Sequence, residues 1–184
     1  MIYFGPSKEY LVQLRLLRPI LEKKFVDLNI HFCCKDDDIN LLGKEKTLTM
    51  SQLSVKRNKF AHVYEFFTNN QVHPIEEMLK ECEITEYETN TPDIEQSNKC
   101  VIVSEGNYPT KNLNKAQINK LKNKATASGY EVGEGLEGAG WVIGVESTEL
   151  FEAAGKGIKT TLVETGVGTN LYEKMFPKGE TIKI

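Results

Sequence analysis

The stretch Trp141-Val142-Ile143-Gly144-Val145-Glu146-Ser147-Thr148-Glu149-Leu150-Phe151-Glu152-Ala153-Ala154-Gly155-Lys156-Gly157-Ile158-Lys159-Thr160-Thr161-Leu162-Val163 decides the fold. Its first five residues are apolar or glycine and end at a polar turn, the pattern of a short buried strand. Ser147-Thr148-Glu149 then provides a capping hydroxyl and an acidic first turn for a helix predicted to run through Ala154. Gly155 and Gly157 stop that helix, and Thr160 to Val163 is a second strand. Two strands joined by a helix run parallel, because the crossover carries the chain back along one face of the sheet.

The same alternation extends in both directions. Downstream, a short helix is predicted over Asn170–Phe176 and a last strand over Thr181–Ile184. Upstream, Cys100–Val103 is a buried strand, followed by a helix from Asn114 to Ser128 with Ala116, Leu121 and Ala125 inward and its lysines outward. Gly129 ends that helix, and Tyr130-Glu131-Val132 is a short strand. Toward the N-terminus, Ile2–Phe4, Leu28–Cys34 and Ala61–Phe67 are apolar strand-like runs. Between them, Leu11, Leu14, Leu17, Ile20 and Leu21 mark one face of a helix over Glu9–Lys24, which Pro19 is expected to kink. Residues 36–59 read as short helices and loops, and a helix starting near Pro74 carries Ile75, Met78, Leu79 and Cys82 on one side. The expected fold is α/β, Rossmann-like, with mainly parallel sheets and flanking helices. Residues 1–88 form an N-terminal half and 98–184 a C-terminal half, with the polar stretch 89–97 connecting them.

Composition narrows the function. The chain has 184 residues, 40% hydrophobic and 27% charged, with a formal net charge of −3. That is a globular balance without the basic excess of a nucleic-acid binder. No apolar run approaches the ~20 residues needed to span a bilayer, and the start MIYFGPSKEY lacks the pattern of a signal peptide. The four cysteines, Cys33, Cys34, Cys82 and Cys100, show neither a Cys-x-x-Cys spacing nor a disulfide framework, so a reducing cytoplasm is the expected setting.

In an open parallel sheet, ligands bind beyond the carboxyl ends of the strands. In the second half those ends are Ser104-Glu105-Gly106-Asn107, Glu146-Ser147-Thr148 and Glu164-Thr165-Gly166-Val167-Gly168-Thr169-Asn170. Their small polar and glycine residues suit an anion. The N–H groups at a helix start carry partial positive charge and hold phosphate, which makes Ser147 and Thr148 candidates, with Glu152 one turn on. The same three residues also read as an ordinary cap followed by a solvated charge, the commoner arrangement. Gly166 and Gly168 read equally as an anion loop or as a tight turn. Neither a Walker sequence nor Gly-x-Gly-x-x-Gly is present.

Other candidates lie in the first half. His73 is near a strand end and has a pKa range suited to a general base, although a surface or capping histidine is the commoner role. Asp36-Asp37-Asp38 can serve as a base or hold a divalent ion, and is more often a solvated loop. His31 and His62 read as structural, Trp141 as core, and Cys33-Cys34 as at least partly core.

The stretch from Trp141 to Thr160 resembles the donor-binding segment of GT-B glycosyltransferases and the related UDP-GlcNAc 2-epimerases and CDP-glycerol glycerophosphotransferases. There a strand ends in a small polar turn and the following helix bears a glutamate before an alanine, a glycine and the next strand. The resemblance implies a donor diphosphate on Ser147 and Thr148, ribose on Glu152, and Gly106, Gly166 and Gly168 nearby. Where the epimerase pattern has two glycines, this chain has Ser147 and Thr148, preceded by Glu146. The implied activity is binding of a UDP-, GDP- or CDP-sugar by a miniature two-lobed glycosyltransferase, or by one reduced domain. His73 or Asp36 would be the base, and no metal or other cofactor is needed. Two alternatives are a non-catalytic Rossmann-like binding module and a nucleoside-processing hydrolase or transferase. The second, prompted by Ile2-Tyr3-Phe4-Gly5-Pro6, would use Glu105 or Glu146 as nucleophile.

Overall fold

A computed structural model describes the chain except residues 1, 5–7, 28–29, 44–46, 57–58, 60–63, 67–73, 90, 93, 95–96, 107–108, 166–170 and 177–178. It divides into two compact units, Met1–Tyr87 and Glu88–Ile184. Both are α/β units built on parallel sheets.

The first unit contains β1 (Ile2–Phe4), α1 (Lys8–Lys24), β2 (Phe32–Cys34), α2 (Ile39–Leu42), β3 (Thr47–Thr49), α3 (Met50–Lys56), β4 (Tyr64–Phe66) and α4 (Pro74–Glu81). The strand order is β3-β2-β1-β4, every pair parallel. Leu11, Leu14, Leu17 and Leu21 of α1 are buried, as the spacing required. The helix continues through Pro19. That residue lies on the exposed side, where water can take the carbonyl freed by the missing N–H. Arg18, on the same helix, donates from Nη2 to Thr47 Oγ1 at 2.9 Å and lies 4.4 Å from the centre of the Phe32 ring, tying α1 to β2 and β3. Strand β3 escapes pattern reading because three residues are too few to show a period. The helix after it is announced by a capping box: Thr49 Oγ1 accepts from the Gln52 N–H and Gln52 Oε1 from the Thr49 N–H. Ile75, Met78 and Leu79 of α4 are buried.

The second unit contains β5 (Lys99–Val103), α5 (Lys115–Ala127), β6 (Glu131–Gly133), β7 (Trp141–Gly144), α6 (Thr148–Gly155), β8 (Lys159–Glu164), α7 (Leu171–Met175) and β9 (Glu180–Lys183). The order is β6-β5-β7-β8-β9, again wholly parallel. Gly144 permits the close pairing of β5 and β7, since a Cβ there would lie 2.6 Å from Val103 Cβ. One core gathers Cys100, Leu113, Leu121, Ala125, Trp141, Ile143, Val145 and Val163. Another cluster packs Phe151, Tyr172 and Phe176, with ring centres 5.4–6.0 Å apart. Trp141 is a core residue: it is buried, meets Tyr130 edge-on at 5.0 Å, and its Nε1 donates to Thr161 Oγ1 at 2.9 Å. Ala116 is exposed, contrary to its expected inward position. Ile118, Leu121 and Ala125 define the buried face, and Ala116 lies about half a turn away from Ile118.

Thr89, Pro92 and Ser97 each contact later parts of the second unit. Thr89 Oγ1 donates to the Met175 carbonyl at 2.6 Å, and Ser97 Oγ to that of Gly138. Gly157, at φ +79°, lies against the Pro92 carbonyl, where a Cβ would sit 1.8 Å from the oxygen.

Candidate functional site at the β5–β7 switch point

From β5 the chain crosses to β6 on one side, whereas β7, β8 and β9 proceed to the other. Right-handed crossovers therefore put α5 on one face of the sheet and α6 on the other. The order reverses between β5 and β7, and the carboxyl ends of strands at such a reversal are the usual ligand position in open parallel sheets. The residues there are Ser104 to Gly106 and Val145 to Ser147.

These two segments are held closely together. The Val145 N–H donates to the Val103 carbonyl at 3.1 Å, and a Cβ on Gly106 would lie 2.6 Å from the Glu146 carbonyl oxygen. Two hydrogen bonds join the end of β5 to the start of the α5 region: the Gly106 N–H donates to Asn112 Oδ1 at 3.0 Å, and the Leu113 N–H to the Ser104 carbonyl at 2.8 Å. A short 3-10 turn over Pro109–Lys111 brings Lys111 to Glu146, with Nζ 2.8 Å from Oε2. Glu146 is 7% exposed, and this cation compensates its buried charge. Lys111 escaped the motif reading. It is the one basic residue between Ser104 and Asn114, so a search for a cation after β5 would have found it.

Ser147 is the N-cap of α6. Its side chain is buried and accepts from the Leu150 N–H at 3.2 Å. The capping role therefore holds for the hydroxyl. The N–H groups of Thr148 and Glu149 have no acceptor within the helix, and they are the donors available to an anion. Glu152, in the second turn, is ion-paired with Lys156 at 2.8 Å. Gly106, Ser147 and Thr148 are thus brought to one edge of the sheet, joined by Lys111 and Glu146.

The remaining candidates lie elsewhere. Asp36 follows β2 in the first unit and accepts from the Ser51 hydroxyl at 2.7 Å and from the Ser51 N–H at 3.4 Å. The Ser51 hydrogen bonds hold its carboxyl below the usual aspartate value, which makes it a weaker base. Asp38 is buried, and among the described residues no group of three or more His, Cys, Asp or Glu side chains can hold a metal ion. His73, Gly166 and Gly168 lie outside the described residues. All four cysteines are free thiols. Burial pushes those of Cys33, Cys34 and Cys100 up to about 11, so they are not activated nucleophiles. Among the described residues no helix is long and apolar enough to cross a membrane.

No protein-family model and no curated protein matches the sequence. Among solved structures, the chain is similar to TibC of enterotoxigenic E. coli H10407, described as an iron-containing dodecameric glycosyltransferase, with a TM-score of 0.57 at 12% identity. The similarity covers 88% of this chain and 57% of that one, so the chain spans little more than half of its neighbour's length. At this identity the likeness is one of architecture: the chain has a parallel, Rossmann-like α/β fold of the kind found in a glycosyltransferase.

Proposed function

We propose that the chain binds a nucleotide diphosphate sugar beyond the carboxyl ends of β5 and β7, and that it is a small glycosyltransferase of the GT-B type. The observation that carries this reading is the meeting of the sheet's switch point, the start of α6 and the Lys111 ammonium at one edge. The diphosphate would take the Thr148 and Glu149 N–H groups, while Lys111, paired with Glu146, would offset that carboxylate's repulsion of the ligand. Those donors meet the electrostatic need, so the proposal includes no metal or other cofactor. Glu152 would bind the ribose. Its pair with Lys156 is partly exposed (30% and 54%) and therefore inexpensive to break. The resemblance also assigns Gly166 and Gly168 to this ligand.

In this reading residues 98–184 are the donor half, residues 1–88 the acceptor half, and 89–97 the connection. His73 or Asp36 would accept the acceptor's proton. The free thiols fit a cytoplasmic setting. A second reading, a non-catalytic binding module of the same fold, draws support from Asp36, whose carboxyl is engaged by Ser51 and weakened as a base.

Titration with UDP-, GDP- and CDP-sugars, followed by the unfolding midpoint, tests the donor site. One of the three should stabilise the folded chain by ~1.4–2.7 kcal/mol at ten to a hundred times its Kd. Glu152→Ala should remove that shift and leave the unliganded midpoint unchanged. If none of the three shifts the midpoint at millimolar concentration, the donor site is refuted. Binding without sugar transfer, in the parent as in His73→Ala, would select the binding module.

A further inference from the structure

Between Gly106 and Tyr130 the chain has five lysines and no acidic residue, whereas the rest of the second unit has six lysines and thirteen acidic residues. Four of the five, Lys115, Lys120, Lys122 and Lys124, lie on α5 and are exposed. At 100° per residue, Lys120 and Lys124 occupy one flank of the helix and Lys115 and Lys122 the other. The outward crest between them is Ala116, Asn119, Asn123 and Ala127, all exposed and uncharged. Ile118, Leu121 and Ala125 on the opposite side hold the helix to the sheet. The result is a low, neutral ridge with a row of long cationic side chains on each side.

We propose that this face of α5 docks on an anionic phospholipid surface by electrostatic adsorption. Two rows of flexible ammonium groups flanking a low ridge can all reach one plane of negative charge, extending past the crest as they do so. The ridge carries no aromatic or large aliphatic residue, so the helix adsorbs without inserting. Lysine is a compact point charge suited to diffuse attraction, whereas nucleic-acid recognition draws on arginine forks and stacking aromatics. The second unit has no arginine, and α5 has no aromatic residue. The acidic remainder of the unit would also repel a polyanion that wrapped around it, but not a flat surface touching one side.

The test is co-sedimentation of the full chain with vesicles of phosphatidylcholine alone and with ~30% phosphatidylglycerol. Pelleting with the anionic vesicles at low salt, its absence with phosphatidylcholine, and its loss at about 0.5 M NaCl are expected. K120Q/K124Q and K115Q/K122Q should each weaken partitioning by roughly ten-fold or more. K174Q/K183Q, which removes as much charge from the same unit elsewhere, should change it less than two-fold. K120R/K124R, which retains the charge, should bind as the parent does and so separate loss of charge from loss of fold. Equal binding to uncharged vesicles, no binding to anionic ones, or an equal loss in K174Q/K183Q would overturn the proposal. So would tighter binding of a short oligonucleotide through the same four lysines.

Discussion

Replacing Gly106 by alanine probes the junction on which the candidate site depends. The added Cβ would lie 2.6 Å from the Glu146 carbonyl oxygen and 3.2 Å from Val145 Cγ2. Ordinary carbon–oxygen contact begins near 3.3 Å, so the two segments must part by roughly 0.7 Å. Val145 is fully buried and its N–H donates to Val103, so the strain reaches the last bond between β5 and β7. Overpacking of this kind costs ~1–3 kcal/mol. Gly106 is not among the positive-φ glycines, so alanine also restricts the unfolded chain and returns ~0.4–1 kcal/mol. The net loss is about 1–2 kcal/mol. Trp141 is the single tryptophan and is buried in β7, so its fluorescence reports the second unit alone. With a urea m-value of ~1–1.5 kcal/mol/M, the midpoint should fall by about 1 M. Gly133→Ala is the control, because the three atoms nearest its Cβ would all belong to the flexible Lys99 side chain, the closest at 3.1 Å. A Gly106→Ala midpoint at or above that of the parent, with m unchanged, would refute the packing argument.

Three further expectations rest on single contacts. Lys111→Met takes the ammonium from a carboxylate that is 7% exposed and should destabilise the second unit by ~1–3 kcal/mol. Glu146→Gln in the same chain should recover part of that loss, and a double-mutant cycle with no coupling would contradict the pairing. Ser147→Ala should cost ~1 kcal/mol as a lost cap but leave nucleotide affinity within about two-fold, since backbone N–H groups are the proposed anion donors. A large affinity loss would place the hydroxyl itself on the ligand. Asp36 should titrate below 3.8 in a carboxyl ¹³C NMR experiment, and Ser51→Ala should raise its midpoint. With the folded value depressed, its stabilisation is present above the unfolded value near 3.8 and lost as pH falls through the folded one. A midpoint at or above 3.8 in the parent would contradict the Ser51 contact.

Much of the second unit is legible because local and tertiary preferences agree there. Asn114 and Gln117 form a full capping box, Ser147 caps α6, and β5, β7 and β8 are apolar runs bounded by turns. The failures have identifiable causes. Ala116 has an apolar side chain, but the buried face is fixed by the larger Ile118 and Leu121, which leave it outside. Strand β3 is too short to show alternation, and Arg18 holds it in place from 29 residues away.

Periodicity and turn chemistry alone determine a succession of strands and helices, hence parallel sheets with ligand-binding edges at the strand carboxyl ends. These signals act within a few residues and survive without knowledge of the rest of the chain. Strand order is a different quantity. That β7 pairs with β5 on the side away from β6, and so makes Gly106 a neighbour of Glu146, is decided by which faces bury one another. The same packing brings Lys111 to Glu146 across 35 positions of sequence. No local pattern specifies such a pair, because its free energy exists only once the sheet has placed both ends of it together.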